Sequence, residues 1–207
     1  MASPEDSGRF RDHHGSMRIV LAVMVLLVSA CSSARGFVET TTTNAPDADQ
    51  ELDATFEFPV VGYEIDHPSA WSTDSSGSLS FIAVNADDID AGIEAAINGP
   101  VIMFEYFPLA DMVRFGVGAD PTPGDLAELN ISHFDLTEPN EIADVVVAAA
   151  PAATFRTTDM YGNHLVTIQG SMNEYAYRLF MHAADEGQLY AYLETWNAMV
   201  DSIRPTS

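Results

Sequence analysis

Apolar and polar residues follow different rhythms along this chain. Ile19 to Val28 is apolar without a break, residues 32–53 are polar with little periodicity, and from about Ala54 the periods of regular structure begin. Tyr63-Glu64-Ile65-Asp66-His67 alternates and stops at Pro68, which predicts a strand running into a turn. Ser78 to Val84, after the Gly- and Ser-rich stretch STDSSGS, and Val101 to Phe107, after Asn98-Gly99-Pro100, predict two more strands. Thr122-Pro123-Gly124-Asp125 predicts a helix start. Thr122 can cap, Pro123 suits the first helical position, and Asp125 places a carboxylate in the first turn before Leu126 and Leu129.

The last third is more regular. Ile142 to Val147, Ala153 to Thr158, Leu165 to Gln169 and Tyr175 to Met181 read as four successive strands, with Gly162-Asn163 turning between the second and third. On the fourth, Tyr175, Tyr177 and Leu179 share one face and Arg178 lies on the other. Leu189, Leu193, Trp196, Val200 and Ile203 then recur at helical spacing, so they form one face of a helix that Pro205 closes, with Trp196 in the core. Without an internal repeat or a second linker, residues 54–207 make one domain.

The oily run follows Arg9, Arg11 and Arg18 and ends in Ser29-Ala30. A basic region, a short apolar region and small residues are the parts of an export signal. The run is shorter than the ~20 apolar residues that a membrane span needs. Val28-Ser29-Ala30-Cys31 resembles the bacterial lipobox. That resemblance implies a diacylglycerol on the Cys31 thiol and cleavage between Ala30 and Cys31. An ordinary secretory signal cut after Ala30 is the alternative. Cys31 is the only cysteine in the chain. Residues 1–16 add nothing to a signal that Met17 opens by itself, so they are either a long leader or untranslated, and His13-His14 is discarded with them. Residues 31–53 then form a lipidated cysteine and a disordered tether, whose Thr40 to Thr43 is plain linker.

The net charge is −23. Removing residues 1–30 takes equal numbers of basic and acidic residues, so the exported chain keeps that charge. Nucleic acid is excluded as a partner, because phosphate binding needs Lys and Arg patches. A basic envelope protein or a cationic solute is favoured instead. The absence of lysine excludes Schiff-base chemistry and a P-loop. It reflects either a GC-rich genome or adaptation to salt. With the one cysteine committed to the anchor, the domain has no disulfide and relies on its core.

Catalytic and metal motifs fail in turn. No serine sits in a nucleophile elbow, and His67, His133, His164 and His182 lack metalloprotease spacing. His182 with Asp185 and Glu186 reads as a strand-end histidine beside a solvated acidic turn. Asn85 to Gly92 misses the calcium-loop spacing in every register. Gly116-Val117-Gly118 lacks the third glycine of a dinucleotide fingerprint. No catalytic residue, metal site or cofactor is therefore expected, and no ligand-binding residue is singled out.

YEIDHPSAW, Tyr63 to Trp71, resembles the opening strand of PsbP-like domains, where a His-Pro or Tyr-Pro turn leads to a tryptophan. YAYRL followed by WNAMVDSIRP resembles their closing strand and helix. LpqN-type actinobacterial lipoproteins share the lipobox and the Thr-rich tether. The resemblance spans most of residues 56–205 and implies an α/β/α sandwich around a mainly antiparallel sheet. Its members are mainly accessory or binding proteins, some of which help retain ions at photosystem II, and none of their metal sites matches here residue by residue. The expected function is thus a binding or accessory module, anchored by lipid on the extracytoplasmic face of a bacterial membrane. A surface hydrolase with a carboxylate site is the alternative.

Overall fold

Period-2 alternation and a 3.6-residue stripe need each other for burial, and together they build three layers. The computed structural model describes residues 50–91, 99–134, 136–137, 139 and 141–206. All of these belong to the second of two units in the chain, Asn44–Ser207. The elements run β1 (Ala54–Phe58), β2 (Tyr63–His67), β3 (Ser72–Ser76), β4 (Leu79–Ala83), α1 (Ala86–Ala91), β5 (Val101–Pro108) and α2 (Leu109–Met112). Then follow α3 (Pro123–His133), β6 (Ile142–Val147), β7 (Ala150–Thr158), β8 (His164–Met172), β9 (Tyr175–Ala183), α4 (Glu186–Asp201) and β10 (Arg204–Pro205).

Seven strands form one sheet in the order β3-β4-β5-β9-β8-β7-β6, with every neighbouring pair antiparallel. The remaining three form a small antiparallel sheet, β1-β2-β10. On β9, Tyr177, Leu179, Met181 and Ala183 turn to one face and pack with Leu189, Trp196 and Val200 of α4. The small sheet joins that layer, where Phe58 stacks on Phe104 of β5 at 4.1 Å. The opposite face is covered by α3, whose Leu126 meets Met112 and Ala176, while its Ala127 meets Ala153 and Phe155 of β7. This is the expected α/β/α sandwich around an antiparallel sheet.

The helix starts follow from local chemistry. Thr122 and Asp125 form a reciprocal cap: Asp125 N–H donates to Thr122 Oγ1 at 3.2 Å, and Thr122 N–H to Asp125 Oδ2 at 2.8 Å. At α4, Asp185 accepts from Gln188 N–H at 2.8 Å, and Gln188 Oε1 accepts from Ala184 N–H at 2.9 Å.

Some elements differ from the sequence reading. STDSSGS is not only a turn, because Ser72–Ser76 pairs with β4 as an exposed edge strand and the reversal falls at Gly77, φ +62°. Helix α4 ends at Asp201, so Ile203 lies beyond it, and Pro205 sits in β10 beside Tyr63 rather than closing the helix. Ile203 stays in the core all the same, only 5% exposed. Packing also begins before Ala54. Gln50 and Asp53 bond to the Trp71 indole and Ser69, and Leu52 lies against the core. Ala30, Cys31, Thr40 to Thr43 and His13-His14 lie outside the described residues. Among the described residues no helix is long and apolar enough to cross a membrane.

Candidate functional site

Helix α4 packs over β9, β8 and β2, and the sheet continues past it into β7 and β6. The uncovered part of that face becomes the floor of a groove of about 1000 Å³. Alternation on each strand decides what points into it: Val145 and Val147 from β6, Thr154 from β7, Val166 and Ile168 from β8. Leu193, Trp196 and Val200 of α4 form the facing wall. Val147, Val166, Ile168 and Trp196 are buried, whereas Val145 and Leu193 are partly open.

The mouth is polar. Glu141, Glu186 and Asp201 supply three exposed carboxylates, and Arg156 is the cation among the described lining residues. The Arg156 guanidinium lies 5.4 Å from the centre of the Tyr190 ring, with Nη1 3.4 Å from its hydroxyl. Apolar floor, aromatic edge and acidic rim suit an apolar body carrying positive charge.

The other face of the sheet holds a buried polar row. Arg178 of β9 pairs with Glu105 of β5, and its Nη1 donates to Asn130 Oδ1 of α3 at 3.0 Å. Asn130 Nδ2 donates in turn to Gln169 Oε1 at 2.8 Å. Phe134 and Phe180 flank the guanidinium at 4.0 and 4.6 Å. Burial lowers the Arg178 pKa, opposed by Glu105. Four residues on, His182 Nε2 lies 3.0 Å from Asp159 Oδ2. Burial lowers the His182 pKa, against the pull of Asp159 and with help from Arg178. Arg178 Nε and His182 Nδ1 are buried without a hydrogen-bond partner.

His182, Asp185 and Glu186 do not converge. His182 faces the α3 side, Asp185 caps α4, and Glu186 stands at the groove mouth on the other face. Among the described residues no group of three or more His, Cys, Asp or Glu side chains could hold a metal. Residues 86–91 form α1 rather than a loop, and Asp88 Oδ2 accepts from Gly99 N–H at 3.0 Å. Gly116 ends a short 3-10 turn after α2.

A general acid needs its carboxyl pKa raised. Hydrogen bonds do the reverse at Asp53 (from Ser69), Asp66 (from Arg204) and Asp125 (from Thr122), and none of these lines the groove. Of the groove residues, the sequence points to Trp196, Val200 and Leu193 only as a core stripe and to Glu186 only as part of a solvated acidic turn. The groove's width depends on how far the sheet outruns α4, which no local pattern encodes.

No family profile and no curated protein sequence matches the chain. Solved structures do. The cyanobacterial PsbP of Synechocystis matches with a TM-score of 0.50 at 10% identity, over 73% of this chain and 91% of that one. The Ran-binding protein Mog1p of Saccharomyces cerevisiae matches at 0.45 and 10% identity, over 74% and 95%. LpqN of Mycobacterium tuberculosis, involved in cell envelope biogenesis, matches at 0.41 and 12%, over 70% and 83%. At these identities the likeness concerns the fold, which is PsbP-like.

Proposed function

We propose that this protein is a lipid-anchored extracytoplasmic binding module that works through the groove between α4 and strands β6–β8. The groove carries the reading: an apolar floor under an acidic rim takes a cationic amphiphile, or a segment of an envelope partner with the same chemistry. Net charge −23 acts in the same sense, attracting cations and repelling anionic polymers. The lipobox-like Val28-Ser29-Ala30-Cys31 and the tether support placement at a membrane face, because two acyl chains anchor stably without a spanning helix.

Trp196 forms part of the groove wall, and the chain has two tryptophans. The purified full chain is therefore titrated with dodecyltrimethylammonium below its micelle concentration while tryptophan emission is followed. A saturable change is expected, weaker at high salt and lost in Val145→Asp. Absence of saturation, or an equal response to dodecyl sulfate, overturns the reading. Saturable turnover of ester, peptide or glycoside substrates by the same preparation, abolished by Glu186→Gln, promotes a surface hydrolase in its place.

A further inference from the structure

The face of the molecule opposite the groove carries a second concentration of exposed apolar surface. Val113, Phe115 and Phe134 are 51%, 50% and 41% exposed, and Met160 and Tyr161, at the β7–β8 turn, are 70% and 57% exposed. The rings are ordered against each other, Phe115 on His133 at 5.4 Å and His133 on Phe134 at 4.9 Å. Scattered apolar side chains on a surface are ordinary, whereas a contiguous set around a hollow marks an interaction site. Two hollows open here, of about 200 and 310 Å³, and Asn130, Phe134 and Arg178 line both. Phe115, Met112 and Leu129 wall the first; Met160, Tyr161 and Leu136 wall the second. Each has room for one aromatic side chain, and the cavity nearer α2 is almost wholly apolar above the neutralised Arg178–Glu105 pair.

The charge around this surface selects the partner. Its two arginines are already neutralised, Arg114 by Asp111 and Arg178 by Glu105. Asp125 and Glu128 stand in the adjoining hollow beside Phe115, and Asp159 borders the second cavity. The balance is negative. An anionic lipid surface is repelled by it, and an acidic second copy of this chain is repelled as well. A protein segment with aromatic anchors and basic flanks gains from both the hollows and the field.

We infer that the surface formed by Phe115, Phe134, Met160 and Tyr161 around Arg178 is a docking site for a basic, aromatic-bearing segment of another protein, separate from the α4 groove. The module then has two working faces, one for an amphiphilic ligand and one for a protein.

The test uses the purified full chain and three amidated hexapeptides: Lys-Lys-Phe-Phe-Lys-Lys, its charge-reversed form with glutamate in place of lysine, and a form with glycine in place of phenylalanine. Binding is followed by fluorescence anisotropy at two salt concentrations. The first peptide is expected to bind at low salt, at least tenfold tighter than the other two, and to weaken as salt rises. Phe115→Ser and Phe134→Ser, both at half-exposed positions, should each weaken it about tenfold while the protein still melts cooperatively, whereas Val145→Asp in the groove should leave it unchanged. Equal binding of the charge-reversed peptide overturns the inference. So does loss of binding in Val145→Asp but not in the phenylalanine variants, which would assign the peptide to the groove. A concentration-dependent dimer abolished by Phe134→Ser would make a second copy the occupant and overturn it too. Failure of the groove titration with dodecyltrimethylammonium leaves these outcomes unaffected, so the two readings fail separately.

Discussion

The indole Nε1 of Trp71 donates to the side-chain oxygen of Gln50 at 2.6 Å. One residue belongs to the Pro-turn that follows β2, and the other to the segment before β1. Trp71 is 5% exposed and meets the Tyr192 ring of α4 at 5.9 Å, so this bond ties the segment before β1 to the closing helix layer.

Gln50→Ala should therefore lower stability by about 1 kcal/mol, the usual net value of a hydrogen bond to a buried donor. Chemical denaturation of residues 50–207 with and without the change measures it. A fragment starting at Ala54 should still unfold cooperatively but at lower denaturant, because Leu52 packing is lost as well.

Trp196 is 2% exposed and belongs to the main core cluster. Trp196→Ala should cost about 3–5 kcal/mol. Asn197→Ala, at an exposed position on the next residue, should stay within about 0.5 kcal/mol. Melting curves of the two variants side by side decide it.

His182 predicts a pH dependence of definite sign. Its folded pKa lies below the ordinary 6.5, chiefly through burial. As pH falls below about 6.5 the unfolded chain takes up a proton that the folded one refuses, so stability drops until the folded pKa is reached. As pH falls from neutral through the ordinary histidine value the wild-type protein should lose stability, and His182→Gln should show a smaller slope over the same range. Parallel slopes would mean that another group dominates.

The β6–β7 hairpin turns on two alanines with positive φ, Ala148 at 50° and Ala149 at 64°. Side chains resist this region and glycine does not. Ala149→Gly should raise stability by on the order of 0.5–1 kcal/mol, read from the denaturation midpoint.

Cys31 is expected to carry the lipid. Labelled palmitate should enter the protein in a bacterial host and be lost in Cys31→Ala, and label persisting in that variant would remove the anchor from the proposed function.

Local pattern alone determined the strands whose faces differ in polarity and the helices with their own caps. Tyr63–His67 alternates because one face is buried, Tyr175–Ala183 is apolar enough to be buried on both faces, and Thr122 with Asp125 satisfies the first N–H groups of α3 without help from elsewhere. Tertiary structure decided what has no local signal. Ser72–Ser76 is polar throughout and becomes a strand only because β4 offers it an open edge. Arg204–Pro205 pairs with β2 because Arg204 meets Glu64 and Asp66, residues far away in sequence, at 2.7 Å each. Asp185, which the sequence places in a solvated acidic turn beside His182, caps α4 by accepting from Gln188 N–H. The groove and the opposite hollows arise in the same way. Each is the space left where one layer ends before its neighbour does, a property of how the layers overlap in three dimensions that no single stretch of sequence encodes.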